Sequence, residues 1–443
     1  MTAHADGSPL LSPRLRALRR ALAHGDTHTL PAFWARIHAK GAPLIEPLPR
    51  ARDHHLVTFL WRGDPATTRN VAIVDGPGGD TAANTMRLLP GSDLWYRSYR
   101  LRDDLRCKYR LAPNDPLIPE DQVTDWATRA ATWQPDPLNP HTFTIPPDPE
   151  NPADSGSIFS LLELPAAPPQ PYLAPRPGIP TGHVETLRLT FPAFDCAPPI
   201  HGRDNNPSAP AMHGREPHPR RIWLYTPPGY TTHPAEPYGL LLLLDGQSIL
   251  GAMPTPTILD NLLADGRIPP LVALLIENPG DTRLQELLCS PTFTDYLADT
   301  LLPEFRAHCP ITADPVRIII AGQSAGGLAA AFAALHRPDT FGAVLSQSGS
   351  YWWRPEGDPA HQWLARQYVT APRLPIRFYL DVGLLETHPT PGHGPTQLAA
   401  NRHLRDTLRA KDYPLTYAEF NGGHDYLAWR RTLADGLIAL TTR

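Results

Sequence analysis

The second half of the chain repeats one motif: a short apolar run, then a helical pattern. The runs are Leu240–Leu244, Leu271–Ile276, Val316–Ala321, Ala343–Ser346 and Ile376–Val382, with helical stretches such as Thr294–His308 and Gly326–His336 between them. A strand that is apolar on both faces must be covered on both faces. Strand–helix alternation supplies that cover, so the pattern predicts an α/β domain built on a mostly parallel sheet. In such sheets a site sits beyond the carboxyl ends of the strands. Two further strands precede the series, Val184–Phe191 and Arg221–Tyr225. Between them, Asp195–Pro219 is polar and rich in Pro, Gly and His, and reads as a long or partly disordered hairpin loop.

The first part of the chain has a different rhythm. Residues 14–23 form a short amphipathic helix pattern. His55–Trp61 and Asn70–Asp75 are β-rich around a Gly63-Asp64-Pro65 turn, and Asp93–Leu101 and Lys108–Leu111 continue in kind. Short strands at this spacing predict a small β-sandwich. Proline then becomes dense, with 55 in 443 residues overall. Trp133–Pro152 and Pro165–Pro180 flank an apolar patch at Ile158–Leu164, and the second stretch can form neither a helix nor a central strand. The expected organisation is a sandwich-like domain over 1–164, a Pro-rich semi-rigid linker over 165–181, and an α/β catalytic domain over 182–443.

Composition excludes several classes. Lys+Arg 40 against Asp+Glu 44 gives a net charge of −4, which argues against a nucleic-acid binder held by bulk positive charge. No apolar run approaches the roughly 20 residues needed to cross a bilayer. The N-terminus lacks the charged and apolar regions of a secretory signal, so the expected compartment is the cytoplasm. Cys107, Cys196, Cys289 and Cys309 are scattered with no metal-type spacing, so reduced thiols and no metal site are expected.

Chemistry concentrates at Val316–Leu328, VRIIIAGQSAGGL. A β-branched strand runs into Gly322-Gln323-Ser324-Ala325-Gly326 and then a small-residue helix, the context of a G-x-S-x-G nucleophile elbow. The turn is sharp enough that its neighbours at −2 and +2 must be glycine, and it presents the Ser324 hydroxyl above a helix N-terminus. The order Ser, acid, His on this architecture points to His424, framed by Gly422 and Gly423. The acid is expected after the strand Ile376–Val382, at Glu386; Asp381 is the alternative within the strand, and Asp425 a weaker one beside the histidine. The oxyanion hole would use the N–H of Ala325 and that of Gln247, with Gly246 as alternative.

These motifs make the chain similar to the enterochelin (ferric enterobactin) esterase family. The resemblance runs from about His55 to the end. It rests on RRIWLYTPPGY, LLLLDGQ, RLQELLC, AGQSAGGL, VLSQSGSYWW and GGHDYLAWR, with VTFLWRGDP, DLWYRSYRL and DPLNP before them. It implies an α/β-hydrolase domain behind the family's N-terminal domain. It also implies hydrolysis of the trilactone of an imported ferric catecholate siderophore to release iron. Ser248-Ile249, where the family often has an aromatic, and the expanded 195–219 loop depart from the pattern.

A ferric tris-catecholate is an anion with flat aromatic faces, suited to arginine forks and stacking rings. Candidate contacts are Arg97 and Arg100 in the sandwich, and Arg283, Trp352 and Trp353 near the hydrolase motifs; Arg283 could instead pair with Glu286. No cofactor is expected, since Fe(III) would arrive within the substrate, and the chain would act as a monomer or small homo-oligomer. Two other readings are an aryl-ester (feruloyl) esterase with a carbohydrate-binding sandwich, and a non-hydrolytic siderophore binder.

Overall fold

A computed structural model describes residues 11–78, 81–118, 122–152, 154–192, 218–280 and 282–442. The 195–219 loop lies almost wholly outside them, as does Cys196. The chain divides into two compact units, residues 1–169 with 421–427, and residues 170–420 with 428–443.

The first unit opens with helices α1 (Pro13–Ala23) and α2 (Thr29–Lys40). It then builds two antiparallel four-stranded sheets. One has the order β1 (Leu44–Pro47), β2 (His54–Arg62), β5 (Leu94–Arg102), β4 (Arg87–Leu88). The other has the order β3 (Val71–Val74), β6 (Arg106–Pro113), β8 (Ser157–Glu163), β7 (Thr142–Ile145), with the short helix α3 (Trp126–Ala130) between β6 and β7 in sequence. Phe59 of β2 packs edge-on against Tyr99 of β5 and Tyr109 of β6, joining the two sheets across their inner faces. Tyr109 donates to Asp136 at 2.8 Å, and burial pushes the Asp136 carboxyl up to about 6. The patch at 158–164 proves to be strand β8, and β7 sits inside the first Pro-dense stretch, where Thr142–Ile145 is free of proline. The segment 421–427 belongs to this unit: Leu427 is buried with Phe143 and Phe159, and the Asn421 amide donates to Asp104 at 2.6 Å.

The second unit is an eight-stranded sheet. Its order is β16 (Leu415–Phe420), β15 (Arg377–Gly383), β14 (Ala343–Gln347), β13 (Ile318–Gln323), β11 (Gly239–Leu244), β12 (Leu271–Ile276), β10 (His218–Thr226), β9 (His183–Phe191). From β16 to β12 every pairing is parallel, while β10 runs antiparallel to β12 and to β9. The helices are α4 (Gly246–Ala252), α5 (Thr255–Ala264), α6 (Arg283–Leu287), α7 (Pro291–Tyr296), α8 (Leu302–His308), α9 (Ala325–His336), α10 (Trp363–Thr370), α11 (Gln397–Ala410) and α12 (Tyr426–Thr441). Leu240–Leu244 and all of β12 and β13 are buried, as strands covered on both faces must be. No described helix is long and apolar enough to cross a membrane.

The Pro-rich stretch expected as a spacer is fastened to this unit from Tyr172 onward. Proline leaves few N–H donors, and the chain uses its carbonyls instead: Asn261 of α5 donates to Tyr172 O and Ala174 O, both at 2.9 Å. Arg176 returns bonds to Asn261 and to Asp265, at 2.7 and 2.9 Å.

Candidate active site

At the carboxyl edge of β13 the backbone turns abruptly. Ser324 has φ 56° and ψ −119°, a conformation L-residues avoid. The turn closes only because a glycine precedes it. A Cβ on Gly322 would lie 2.4 Å from the carbonyl carbon of Gly326. We expect Gly322→Ala to cost about 1–3 kcal/mol through this overlap, read as a lower thermal midpoint with weaker covalent labelling of Ser324 by a fluorophosphonate. The elbow is pinned from the next strand: Ser324 N–H donates to Gln347 O at 3.0 Å and Ser350 N–H donates to Ser324 O at 2.9 Å. The Ser324 and Ser350 hydroxyls lie 3.3 Å apart.

Beside it, β11 ends at Asp245, held in the left-handed region at φ 62°, and α4 begins. Gln247 is the second residue of α4 and Ala325 the first of α9; N–H groups at these positions have no acceptor within their helices. A Cβ on Gly326 would lie 3.3 Å from Asp245 Oδ2, so the two turns touch. Asn278, after β12, accepts from Asp245 N–H at 2.9 Å and exchanges bonds with the Gln247 amide at 2.7 and 3.1 Å. Asn278 donates in turn to Glu286 at 2.7 Å. Glu286 pairs with Arg220, not with Arg283; both side chains of that pair are almost wholly buried. Arg283 instead forks onto Asp245 at 2.7 and 2.8 Å, while both oxygens of Glu286 are engaged by Arg220 and Asn278. It stays partly exposed while buttressing the turn at Asp245.

Glu386 is buried just past β15. Its Oε1 accepts from the Ser348 hydroxyl at 2.6 Å and from Gly383 N–H at 2.7 Å. Asp381 is fully buried within β15, and neither of its oxygens has a hydrogen bond of ordinary geometry. Desolvation, reinforced by the charge of Glu386, pushes its pKa up to about 7, although Thr432 and Gln347 face it and work the other way. Its folded pKa lies above the unfolded value of 3.8, so its contribution to stability falls as pH rises between the two. We expect Asp381→Asn to raise the thermal midpoint at pH 8 relative to pH 5 with turnover little changed, and Glu386→Gln to lower turnover by about 10⁴-fold. The reverse ranking in steady-state kinetics would move the acid to Asp381.

His424 is exposed, four residues beyond β16 in the segment 421–427 of the first unit, and Asp425 beside it is buried. Trp352 is half-buried in the loop after β14 and packs against the core of the sheet. Trp353 differs from expectation: it is 4% exposed and packs edge-on against Trp363 in the core, so it offers no face for stacking on a ligand. Arg97 is engaged by Tyr99 and by Thr85 O, at 3.1 and 3.0 Å. Arg100, three residues on, is exposed. Sequence reasoning overlooked Ser348, Ser350, Asn278 and Trp429. Three of them lay inside runs already quoted for the resemblance, but nothing local marks which serine faces a carboxylate.

Comparison with known proteins gives two family matches: "Putative esterase" over residues 215–440 and "Enterochelin esterase, N-terminal" over residues 56–173. The chain is 30% identical to the iron(III) enterobactin esterase of Dickeya dadantii, with 93% of each chain covered. It is 29% identical to an iron(III) salmochelin esterase of Escherichia coli, with 96% of each covered. Among solved structures, ferric enterobactin esterase from Salmonella typhimurium superposes with a TM-score of 0.69 at 27% identity, covering 93% of this chain and 98% of that one. The enterobactin esterase of Shigella flexneri, crystallised in the presence of enterobactin, gives 0.64 at 27% identity, covering 91% and 96%.

Proposed function

The chain belongs to the enterochelin esterase family, and on that premise we propose that it is a serine esterase that opens the trilactone of a ferric catecholate siderophore and so releases iron. The observation that carries the reading is the elbow: a serine forced to φ 56° at the sheet's carboxyl edge, touching a second helix-initiating turn. The reading takes Ser324 as the nucleophile beside two N–H groups that have no acceptor within their own helices.

In this reading His424 takes the proton of Ser324 as its Oγ attacks a lactone carbonyl. Glu386 holds the imidazole in the competent tautomer and stabilises the imidazolium. The N–H groups of Ala325 and Gln247 receive the oxyanion, and the seryl ester is then hydrolysed by water activated through the same histidine. The chemistry calls for no cofactor; Fe(III) enters as part of the substrate. Trp352 supplies a stacking surface and Arg100 an exposed guanidinium for the catecholate, while Arg283 serves through Asp245. A cytoplasmic site of action agrees with free, buried thiols at Cys107 and Cys289.

The test is mass spectrometry of products from ferric and iron-free catecholate trilactones beside simple feruloyl esters. Linearised or monomeric acyl-serine products from the trilactones support the reading. Turnover of the feruloyl esters alone would replace it.

A further inference from the structure

Glu386 sits under a short chain of donors that the esterase mechanism does not require but can use. Trp429 of α12 donates its indole N–H to the Ser348 hydroxyl at 3.0 Å. An indole can only donate. The serine oxygen therefore accepts from the tryptophan, and its own proton is directed at Glu386 Oε1, 2.6 Å away. An ionised carboxylate can only accept, so the polarity of the chain is fixed from Trp429 to Ser348 to Glu386.

The backbone around Ser348 is built for this. Ser348 has φ 47°, and its N–H donates to Asp381 O at 2.8 Å. Its carbonyl accepts from the Gln397 side chain, which also reaches Gly349 O at 2.7 Å. Asn401 donates to the same Gly349 carbonyl at 2.8 Å. A serine held in the left-handed region by α11, fully buried and aimed at a carboxylate, is placed with no rotational slack.

We infer that Ser348, oriented by Trp429, is a positioning residue for Glu386, and that this donor chain makes Glu386 rather than Asp381 the acid. The inference rests on the esterase reading above. Two donors, Ser348 and Gly383 N–H, converge on Oε1, so that oxygen anchors the carboxylate and Oε2 is the working one. Asp381, in the same layer, is faced by Thr432 and Gln347 without a hydrogen bond of ordinary geometry to either, and burial pushes its carboxyl up to about 7. A carboxyl so shifted is only partly ionised at neutral pH, which weakens it as a counter-charge for an imidazolium.

The experiment is a double-mutant cycle on the full chain. Ser348→Gly removes the hydroxyl without penalty at positive φ, and Trp429→Phe removes the indole donor. Each is measured alone and combined with Glu386→Gln, by turnover of the trilactone and by the rate of fluorophosphonate labelling of Ser324. We expect Ser348→Gly to lower kcat by about 10²-fold with KM within about threefold. We expect both variants to change turnover by less than about threefold once Glu386→Gln is present, since a residue acting only through Glu386 has nothing left to position. An undiminished kcat in Ser348→Gly overturns the inference, as does the same loss on top of Glu386→Gln. Should Ser348→Gly not fold, Trp429→Phe runs the same cycle. Failure of the esterase reading looks different, because the unmodified chain would then not hydrolyse the trilactone and no variant could lower its turnover.

Discussion

Ser324→Ala is expected to lower trilactone hydrolysis by about 10⁴–10⁶-fold while leaving capture of the ferric siderophore nearly intact. The loss is large because no neighbouring group can replace the nucleophile. Ser350, the hydroxyl 3.3 Å away, hangs from a different strand end and lacks the backbone geometry of the elbow. Binding persists because alanine tolerates φ 56° no worse than serine does, so the turn is not further strained. Siderophore binding is read by quenching of tryptophan fluorescence, and hydrolysis by chromatography of the released acyl-serines. Residual turnover within tenfold of the unmodified enzyme would end the assignment of Ser324. Intact fluorophosphonate labelling elsewhere in the chain would locate its replacement.

The sheet was readable in advance because its strands carry an extreme pattern. Leu240–Leu244 is apolar at every position, which only a strand covered on both faces tolerates, and the elbow advertises itself through glycines at both flanks. Other elements were silent for equally physical reasons. Thr29–Lys40 forms α2 although Pro31 stands in its first turn and His28 before it makes no side-chain cap, which masked the helical spacing of Leu30, Phe33, Trp34 and Ile37, and Thr142–Ile145 is a four-residue strand amid prolines. The partners of charged groups were the least legible. Asp245 lies 38 residues before Arg283, whereas Glu286 is only three residues after it, so sequence proximity favoured the pair that does not form. Ser348 and Trp429 are 81 residues apart and meet only because α12 packs beneath the end of β14. Folding joins such residues, and periodicity carries no trace of it.

Glu286→Ala should be the most destabilising of the substitutions considered, by about 3–5 kcal/mol. The Arg220 guanidinium is buried and would keep only Thr282, the Glu277 carbonyl and the Phe191 ring, none of which neutralises it. An unpaired charge away from water is far costlier than the pair itself. The same substitution frees the Asn278 amide, and Asn278 holds both Asp245 N–H and the Gln247 side chain. Stability and catalysis should therefore fall together, and a second variant separates them. In Arg220→Met with Glu286→Leu the buried charge is gone, so stability recovers to near the starting value or above it. Asn278 still lacks its anchor, so Ser324 labelling should stay slow. Chemical denaturation measures the first effect and labelling rate the second. Full recovery of labelling in the double variant would show that the turn at 245–247 holds its shape without Glu286, and would return the buried pair to a purely structural role.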